Sequence, residues 1–265
     1  MDLQPRDTAC PGFAWLNTLL VISFELNAEL KSRFSLNVTQ ASALVYLGVE
    51  GQPVRIGDIS RRLFLRPNTT TAAVKALEES GLIYRSSSPS DKRGVFVSLT
   101  GLGTSIYEET RDVLTDYFST NADSIQALVE GMRSEDDAPS PGNAMYCSLF
   151  LEIRHYIVYV TDYSHTLDLN LSSLRILAYL RLADKKLKLV EISRALSLRQ
   201  NMLSLCVSSL SSAGLIRRRV NSSDKRSSII STSAAGKNIA DNIITFLYNA
   251  SEESVLPLNT LPPEA

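Results

Sequence analysis

Apolar residues recur at helical spacing near the start of the chain. Leu16, Leu19, Leu20, Phe24 and Leu26 predict a helix over Phe13–Leu30. Thr39 is placed to cap a second helix, with Ala43, Leu44 and Leu47 facing inward. Gly51-Gln52-Pro53 breaks the pattern. Ile56, Ile59 and Leu63 then mark a short helix. Asn68 marks the start of another, with Ala73, Val74 and Leu77 as its buried stripe. Gly81 suits a left-handed termination. Beyond it the period shortens: Leu82–Arg85 and Val95–Leu99 read as strands, with the turn-rich Ser86–Gly94 between them. Thr100 is placed to cap a long helix carrying Leu102, Ile106, Val113, Leu114 and Phe118.

This pattern returns 133 residues later. Leu36–Gly103 aligns without a gap onto Leu169–Gly236, and 24 of the 68 aligned positions are identical. Ser-Asp-Lys-Arg at Ser90–Arg93 reappears at Ser223–Arg226, and Gly81-Leu82-Ile83 at Gly214-Leu215-Ile216. A period this long matches a small domain rather than a solenoid unit. The expected organisation is a first copy over residues 1–133, a linker over 134–143, a second copy over 144–256 and a loose tail over 257–265. The linker, Ser134–Asn143, is acidic and rich in Pro, Gly and Ser. Met145–Tyr163 opens the second copy as a helix containing Phe150, Leu151, Ile157 and Val158.

Composition adds little until charge is mapped. At 265 residues, 44% apolar and 21% charged, the chain reads as an ordinary soluble protein with room for two small cores. No apolar run reaches the length of a membrane span, and the N-terminus lacks the pattern of a signal peptide. Cys10, Cys147 and Cys206 form no CxxC pair, which points to a reducing cytoplasm. The net charge of −1 conceals a segregation. Asn170–Gly236 holds 12 Lys/Arg against 3 Asp/Glu, and Asn37–Gly103 holds 8 against 5. Tyr107–Asp137 holds 9 acidic residues against 2 basic ones. Local basic surface governs attraction to polyanions.

The order helix, helix, helix, strand, loop, strand, long helix is that of a winged helix-turn-helix domain. Its second short helix presents its N-terminal half to the major groove, and the hairpin reaches phosphates or the minor groove. Gly81-Leu82-Ile83-Tyr84-Arg85, then Asp91-Lys92-Arg93 through Leu99-Thr100, then Gly103, carry a more specific likeness. Over roughly Leu36–Thr120 the chain resembles the MarR-type family of bacterial transcription regulators. The second copy keeps Gly214-Leu215-Ile216-Arg217-Arg218, Asp224-Lys225-Arg226 and Gly236, but has Thr232-Ser233 in place of Leu-Thr.

The resemblance implies a mainly α fold with small β wings (α+β), and a non-enzymatic DNA-binding regulator without cofactor or metal. Family members are usually homodimers. Two copies in one chain imply two winged helix-turn-helix domains with long dimerisation-type helices forming an intramolecular pseudo-dimer, monomeric with an internal pseudo-two-fold. The expected partner is double-stranded DNA. The wing arginines correspond to Arg93 and Arg226, with Lys92 and Lys225 beside them and Asp91 and Asp224 orienting them. The first recognition helix offers Arg66, Asn68, Thr69, Thr70, Thr71 and Lys75. The second offers Arg199, Asn201, Ser204 and Ser208, followed by Arg217, Arg218 and Arg219. Met202, Leu203 and Leu205 are unusual on a DNA-facing surface. They are either buried or a sign that this copy no longer reads bases.

The family commonly binds a small aromatic effector beside its dimerisation helices. By resemblance, Trp15, Phe24, Phe34 and Tyr46, with Tyr156, Tyr159, Tyr163 and Tyr179 in the second copy, are candidates for two crevices. His155 and His165 lack HxxxH or HExxH spacing, and Cys10 and Cys147 show no signal of an activated thiol. One further reading stays open: a degenerate sensor or protein-interaction module of the same fold that no longer binds an operator.

Overall fold

The structure, a computed structural model, describes residues 10–87, 95–121, 143–220 and 228–252. It is mostly helical, and one order of elements occurs twice. The first series is α1 (Pro11–Phe34), α2 (Val38–Glu50), β1 (Val54–Arg55), α3 (Ile56–Arg62), α4 (Pro67–Glu79), β2 (Ile83–Ser87), β3 (Val95–Leu99) and α5 (Gly101–Thr120). The second is α6 (Asn143–Thr166), α7 (Leu171–Ala183), β4 (Leu187–Lys188), α8 (Leu189–Leu196), α9 (Gln200–Ser212), β5 (Ile216–Val220), β6 (Ser228–Thr232) and α10 (Ala234–Glu252).

The chain divides into two compact units, and each draws on both series. The N-terminal unit comprises residues 19–121 and 143–158, and the C-terminal unit residues 10–18 and 159–252. Thus α1 gives its first turns to the C-terminal unit, and α6 gives its first turns to the N-terminal one.

In the N-terminal unit, α2 begins at Asn37 rather than Thr39. The Asn37 side chain accepts bonds from the Thr39 and Gln40 amides, and Gln40 reaches back in a capping box. Thr39 therefore lies inside the first turn. Seven consecutive residues of α2, Ala41 through Leu47, are buried, so this helix is the centre of the core. The start of α4 also differs from the sequence expectation. Pro67 occupies its first turn and Arg66 its N-cap position, leaving Asn68 within the helix. Ala73, Val74 and Leu77 are buried, as their spacing predicts. The helix ends in a Schellman motif: Leu82 N–H donates to Leu77 O, Gly81 N–H to Glu78 O, and Gly81 has φ +71°. Strands follow in the antiparallel order β1-β3-β2, and fully buried Val97 pairs with Val54 on one side and Arg85 on the other. Thr100 caps α5 by accepting from Gly103 N–H.

The C-terminal unit repeats this plan. Asn170 caps α7, the order β4-β6-β5 forms the sheet, and Gly214 closes α9 in a second Schellman motif. Its own additions are the first turns of α1. Phe13 stacks on Tyr179 of α7 at 6.4 Å, and Gly12 lies against the Leu247 carbonyl of α10. No helix among the described residues is long and apolar enough to cross a membrane.

Candidate nucleic-acid interface

In the N-terminal unit, α3 and α4 form the helix-turn-helix. The turn is held by Leu65 N–H donating to Ser60 O, with Phe64 at φ +51°. Arg66, Asn68, Thr69, Thr71 and Lys75 are exposed. Lys75 has an ion pair with Glu79 at 3.6 Å, but both side chains are more than half exposed, so solvent screens the pair.

Thr70 is a correction. It is fully buried, and its Oγ1 accepts a 2.8 Å bond from Ser60 Oγ of α3. It shares a face with Ala73, Val74 and Leu77, and its role is to join the two helices rather than to touch bases. Its counterpart in the second series, Leu203, is likewise buried.

In α9, Asn201, Met202, Ser204, Leu205 and Ser208 are exposed, while Leu203, Cys206, Val207 and Leu210 form the buried stripe. The three apolar residues that stood out in the sequence thus have different fates. Leu203 is core, whereas Met202 is 48% and Leu205 70% exposed. Arg199 is exposed at the N-cap position.

The basic run on β5 does not form one cluster. Side chains alternate along a strand, so Arg217 and Arg219 share one face and Arg218 lies on the other. Arg218 stands opposite buried Ile230, and its Nε donates to Ser228 Oγ at 3.0 Å. The corresponding residue on β2, Arg85, pairs with Glu78 of α4 at 3.0 Å. At the position of Glu78 the second series has Ser211, so that carboxylate is absent there. The wing-loop residues Asp91, Lys92, Arg93, Asp224, Lys225 and Arg226 lie outside the described residues, as do the linker up to residue 142 and the tail.

The eight aromatic residues expected around two effector crevices lie in different surroundings. Tyr46 and Tyr156 are buried, at 8% and 1% exposure. Burial, then the Glu50 charge, pushes the Tyr46 phenol up to about 12. Phe24 and Tyr159 are exposed, and Trp15 is half-buried in the C-terminal unit. Tyr159 and Tyr163 both pack on Phe246, with Tyr163 stacked at 3.6 Å, and Tyr179 stacks on Phe13. Phe34 lines a cavity of about 920 Å³ in the N-terminal unit, between α1 and α5. Five carboxylates also line it, those of Glu25, Glu29, Glu109, Asp112 and Asp116, against Arg33. Tyr117 donates a 2.6 Å bond to Glu25 at its edge.

His155 lies on α6 and stacks on Phe64 at the helix-turn-helix turn, with centroids 3.5 Å apart. His165 is exposed, and no group of potential metal ligands gathers among the described residues. Cys10 and Cys147 are buried free thiols, and burial pushes both above the ordinary thiol range, away from reactive thiolate.

One residue not picked out from the sequence is Arg175 on α7. It is buried, and its Nη2 donates to the Leu196 carbonyl at the end of α8 at 2.9 Å. Its Nε donates to Asn17 Oδ1 at 2.8 Å. Burial lowers its guanidinium to about 10, still charged at neutral pH. A basic residue amid the apolar run Leu174–Ala178 is the sequence signal that marks it.

The chain resembles known regulators over part of its length. It is 28% identical over 103 residues to the organic hydroperoxide resistance transcriptional regulator of Bacillus subtilis, covering 37% of this chain and 70% of that protein. The transcriptional regulator BldR of Sulfolobus solfataricus is 26% identical, with 49% of this chain and 94% of that one covered and a TM-score of 0.39. A mutant of MepR from S. aureus is 22% identical, with 39% and 75% covered and a TM-score of 0.37. Residues 36–95 match the MarR family.

Proposed function

We propose that this protein is a cytoplasmic, DNA-binding transcription regulator in which one chain supplies both halves of a pseudo-dimer. The observation that carries the reading is the exposed polar face of α4, Asn68, Thr69, Thr71 and Lys75, on a helix-turn-helix within the segment that matches the MarR family. Such a face supplies hydroxyl and ammonium groups to phosphates and base edges, while Thr70 and its apolar neighbours fasten the helix to its support. The second series adds phosphate attraction through Arg199, Arg217 and Arg219, all exposed. The MarR match and the Bacillus relative support the regulator reading. The mixed make-up of each compact unit supports the pseudo-dimer, because neither series alone supplies all the helices of its unit.

The proposal includes regulation by a small aromatic effector. The 920 Å³ cavity favours one that also carries positive charge, given its five carboxylates. A second reading, an interaction module of the same fold, is favoured by exposed Met202 and Leu205 on α9. Binding to DNA from the protein's own upstream region, measured against salt, separates the two. A regulator shows a steep loss of affinity with salt and preference over random DNA. An interaction module shows neither.

A further inference from the structure

We propose that Arg175 is a positioning residue that transmits the seating of the first turns of α1 to the recognition helix α9. This rests on the DNA-binding reading above. All the groups involved lie in the C-terminal unit.

A buried guanidinium is costly unless its protons are used. Arg175 is 9% exposed, and its two bonds reach two different elements. Leu196 is the last residue of α8, so its carbonyl has no acceptor role inside the helix. That end also carries the negative pole of the helix dipole, which favours a cation. Two bonds lock the turn that follows: Leu198 N–H donates to Ser193 O, and Ser193 Oγ donates to Leu198 O. Residue Gln200 then begins α9. Moving Leu196 therefore moves α9.

The other end of the tie is equally defined. Asn17 Nδ2 donates to Phe13 O at 2.9 Å, which turns Oδ1 toward Arg175. Phe13 stacks on Tyr179, one helical turn beyond Arg175 on α7. A Cβ on Gly12 would lie 2.1 Å from the Leu247 carbonyl, so the start of α1 rests directly on the backbone of α10. Asn17 is thus held by its own helix, and that helix is seated on α7 and α10.

The first series lacks this device at the same position. Arg175 corresponds to Ser42, whose hydroxyl donates to Val38 O of its own helix. A displacement of the first turns of α1 should therefore be felt by α9 through a connection that α4 lacks at this position.

The test compares wild type, Asn17→Ala and Asn17→Asp as full-length chains. Readouts are DNA affinity, urea stability and amide hydrogen exchange at Leu198 and Leu203. Losing the acceptor should weaken DNA binding about tenfold or more, the scale of one hydrogen bond to a charged group. Exchange should rise selectively at those two amides. The aspartate variant keeps an acceptor for Arg175 but loses the bond to Phe13 O, so it should restore both in part, and no restoration at all would overturn the proposal. In a background of Arg199→Ala with Asn201→Ala, Asn17→Ala should have no further effect on affinity. Unchanged affinity and exchange in Asn17→Ala would overturn the proposal. So would exchange rising uniformly with a fall in overall stability, since that marks a merely structural role. If the wild type binds no DNA, the regulator reading fails by itself, and the selective exchange and its rescue still decide whether the tie exists.

Discussion

The carbonyl oxygen of Leu82 occupies the space that a Cβ on Gly103 would need. An ideal Cβ there would stand 1.8 Å from it, and Leu215 and Gly236 repeat the relation at the same 1.8 Å. The Leu82 carbonyl accepts from Thr100 N–H, and Thr100 Oγ1 donates to the Gly81 carbonyl. The glycine after β3 or β6 and the Gly-Leu after α4 or α9 are therefore two sides of one packing arrangement. This explains why Gly-Leu and the later Gly persist together in both series although Leu-Thr does not.

Gly103→Ala and Gly236→Ala should each destabilise the fold by about 1–3 kcal/mol or more, because the obstructing atom is backbone and cannot rotate away. Gly101→Ala is the control: nothing lies within 4 Å of its added Cβ. It should be neutral or slightly stabilising, by at most about 1 kcal/mol. Urea denaturation measures all three. Equal stability of the Gly103 and Gly101 variants would show that the close approach relaxes without cost.

A second expectation concerns pH. Burial, then the Arg62 charge, lowers the His155 imidazole from 6.5 to about 4. The unfolded chain binds this proton more readily than the folded one. The stability involved is thus fully present above pH 6.5 and is lost as pH falls from there toward about 4. Glu152, on the same helix, acts in the opposite sense: burial pushes its carboxyl up against the pull of Arg62, so acid favours its folded form. His155→Phe keeps a ring against Phe64 and removes the titration. Its loss of stability between pH 7.5 and pH 5 should be smaller than the wild type's by about 1–2 kcal/mol, allowing for partial solvent screening. Identical pH dependence in the two proteins would rule out this role for His155.

Much of the helix order is legible in the sequence because apolar spacing reports burial directly. Ala73, Val74 and Leu77 are expected inward and are buried. Thr70 falls on that same stripe, yet its hydroxyl suggests base contact, and that suggestion is wrong. Its counterpart Leu203 holds the correcting signal, as one position that accepts both Thr and Leu is apolar in its surroundings. The two-residue strands β1 and β4 are invisible in the sequence, being too short to show a period of two. Asn37 displaces Thr39 as cap because the choice depends on which residue turns extended, and both side chains are competent. The partners of Arg175 cannot be read from the sequence at all. They come from elements 158 and 21 residues away, a relation that only folding creates.

Assembly gives a third prediction. Each compact unit includes turns from the first helix of the other series, and on the proposed reading the chain supplies within itself what a homodimer shares between subunits. A covalent connection holds the two halves at an effective concentration in the range of about millimolar. Light scattering at micromolar protein should therefore report a mass near 29.2 kDa. A stable species of twice that mass would replace the proposed internal pseudo-dimer with a pair of chains.

The wings supply a fourth. Arg93 and Arg226 follow Asp91-Lys92 and Asp224-Lys225 in the sequence, in segments expected to form the wings. Replacing either arginine by alanine should weaken DNA binding by about 1–3 kcal/mol, the scale of a charge-assisted hydrogen bond, and leave folding intact. The slope of log affinity against log salt should fall by about one for each phosphate that is no longer neutralised. A double variant with wild-type affinity and slope would confine the wings to a structural role.

The last prediction follows from the unequal faces of α4 and α9. The first presents Thr69, Thr71 and Lys75, whose hydroxyls and ammonium can address phosphates and base edges. The second presents Met202 and Leu205, which offer only apolar surface of the kind a thymine methyl accepts, with Ser204 and Ser208 beside them. Its cations stand elsewhere, at Arg199 before the helix and on β5, where Arg217 and Arg219 share one face. The first half should accordingly discriminate bases and the second act as an electrostatic clamp. Sequences selected from a random pool should contain one defined half-site and one degenerate half-site rather than a perfect palindrome. Thr69→Ala with Thr71→Ala should then blur the defined half-site, whereas Arg217→Ala with Arg219→Ala should reduce affinity and salt slope without changing the selected sequence. Two equally strong, mirror-related half-sites would sink the asymmetry, and a defined half-site that responds to the β5 variants would assign base reading to the second half instead.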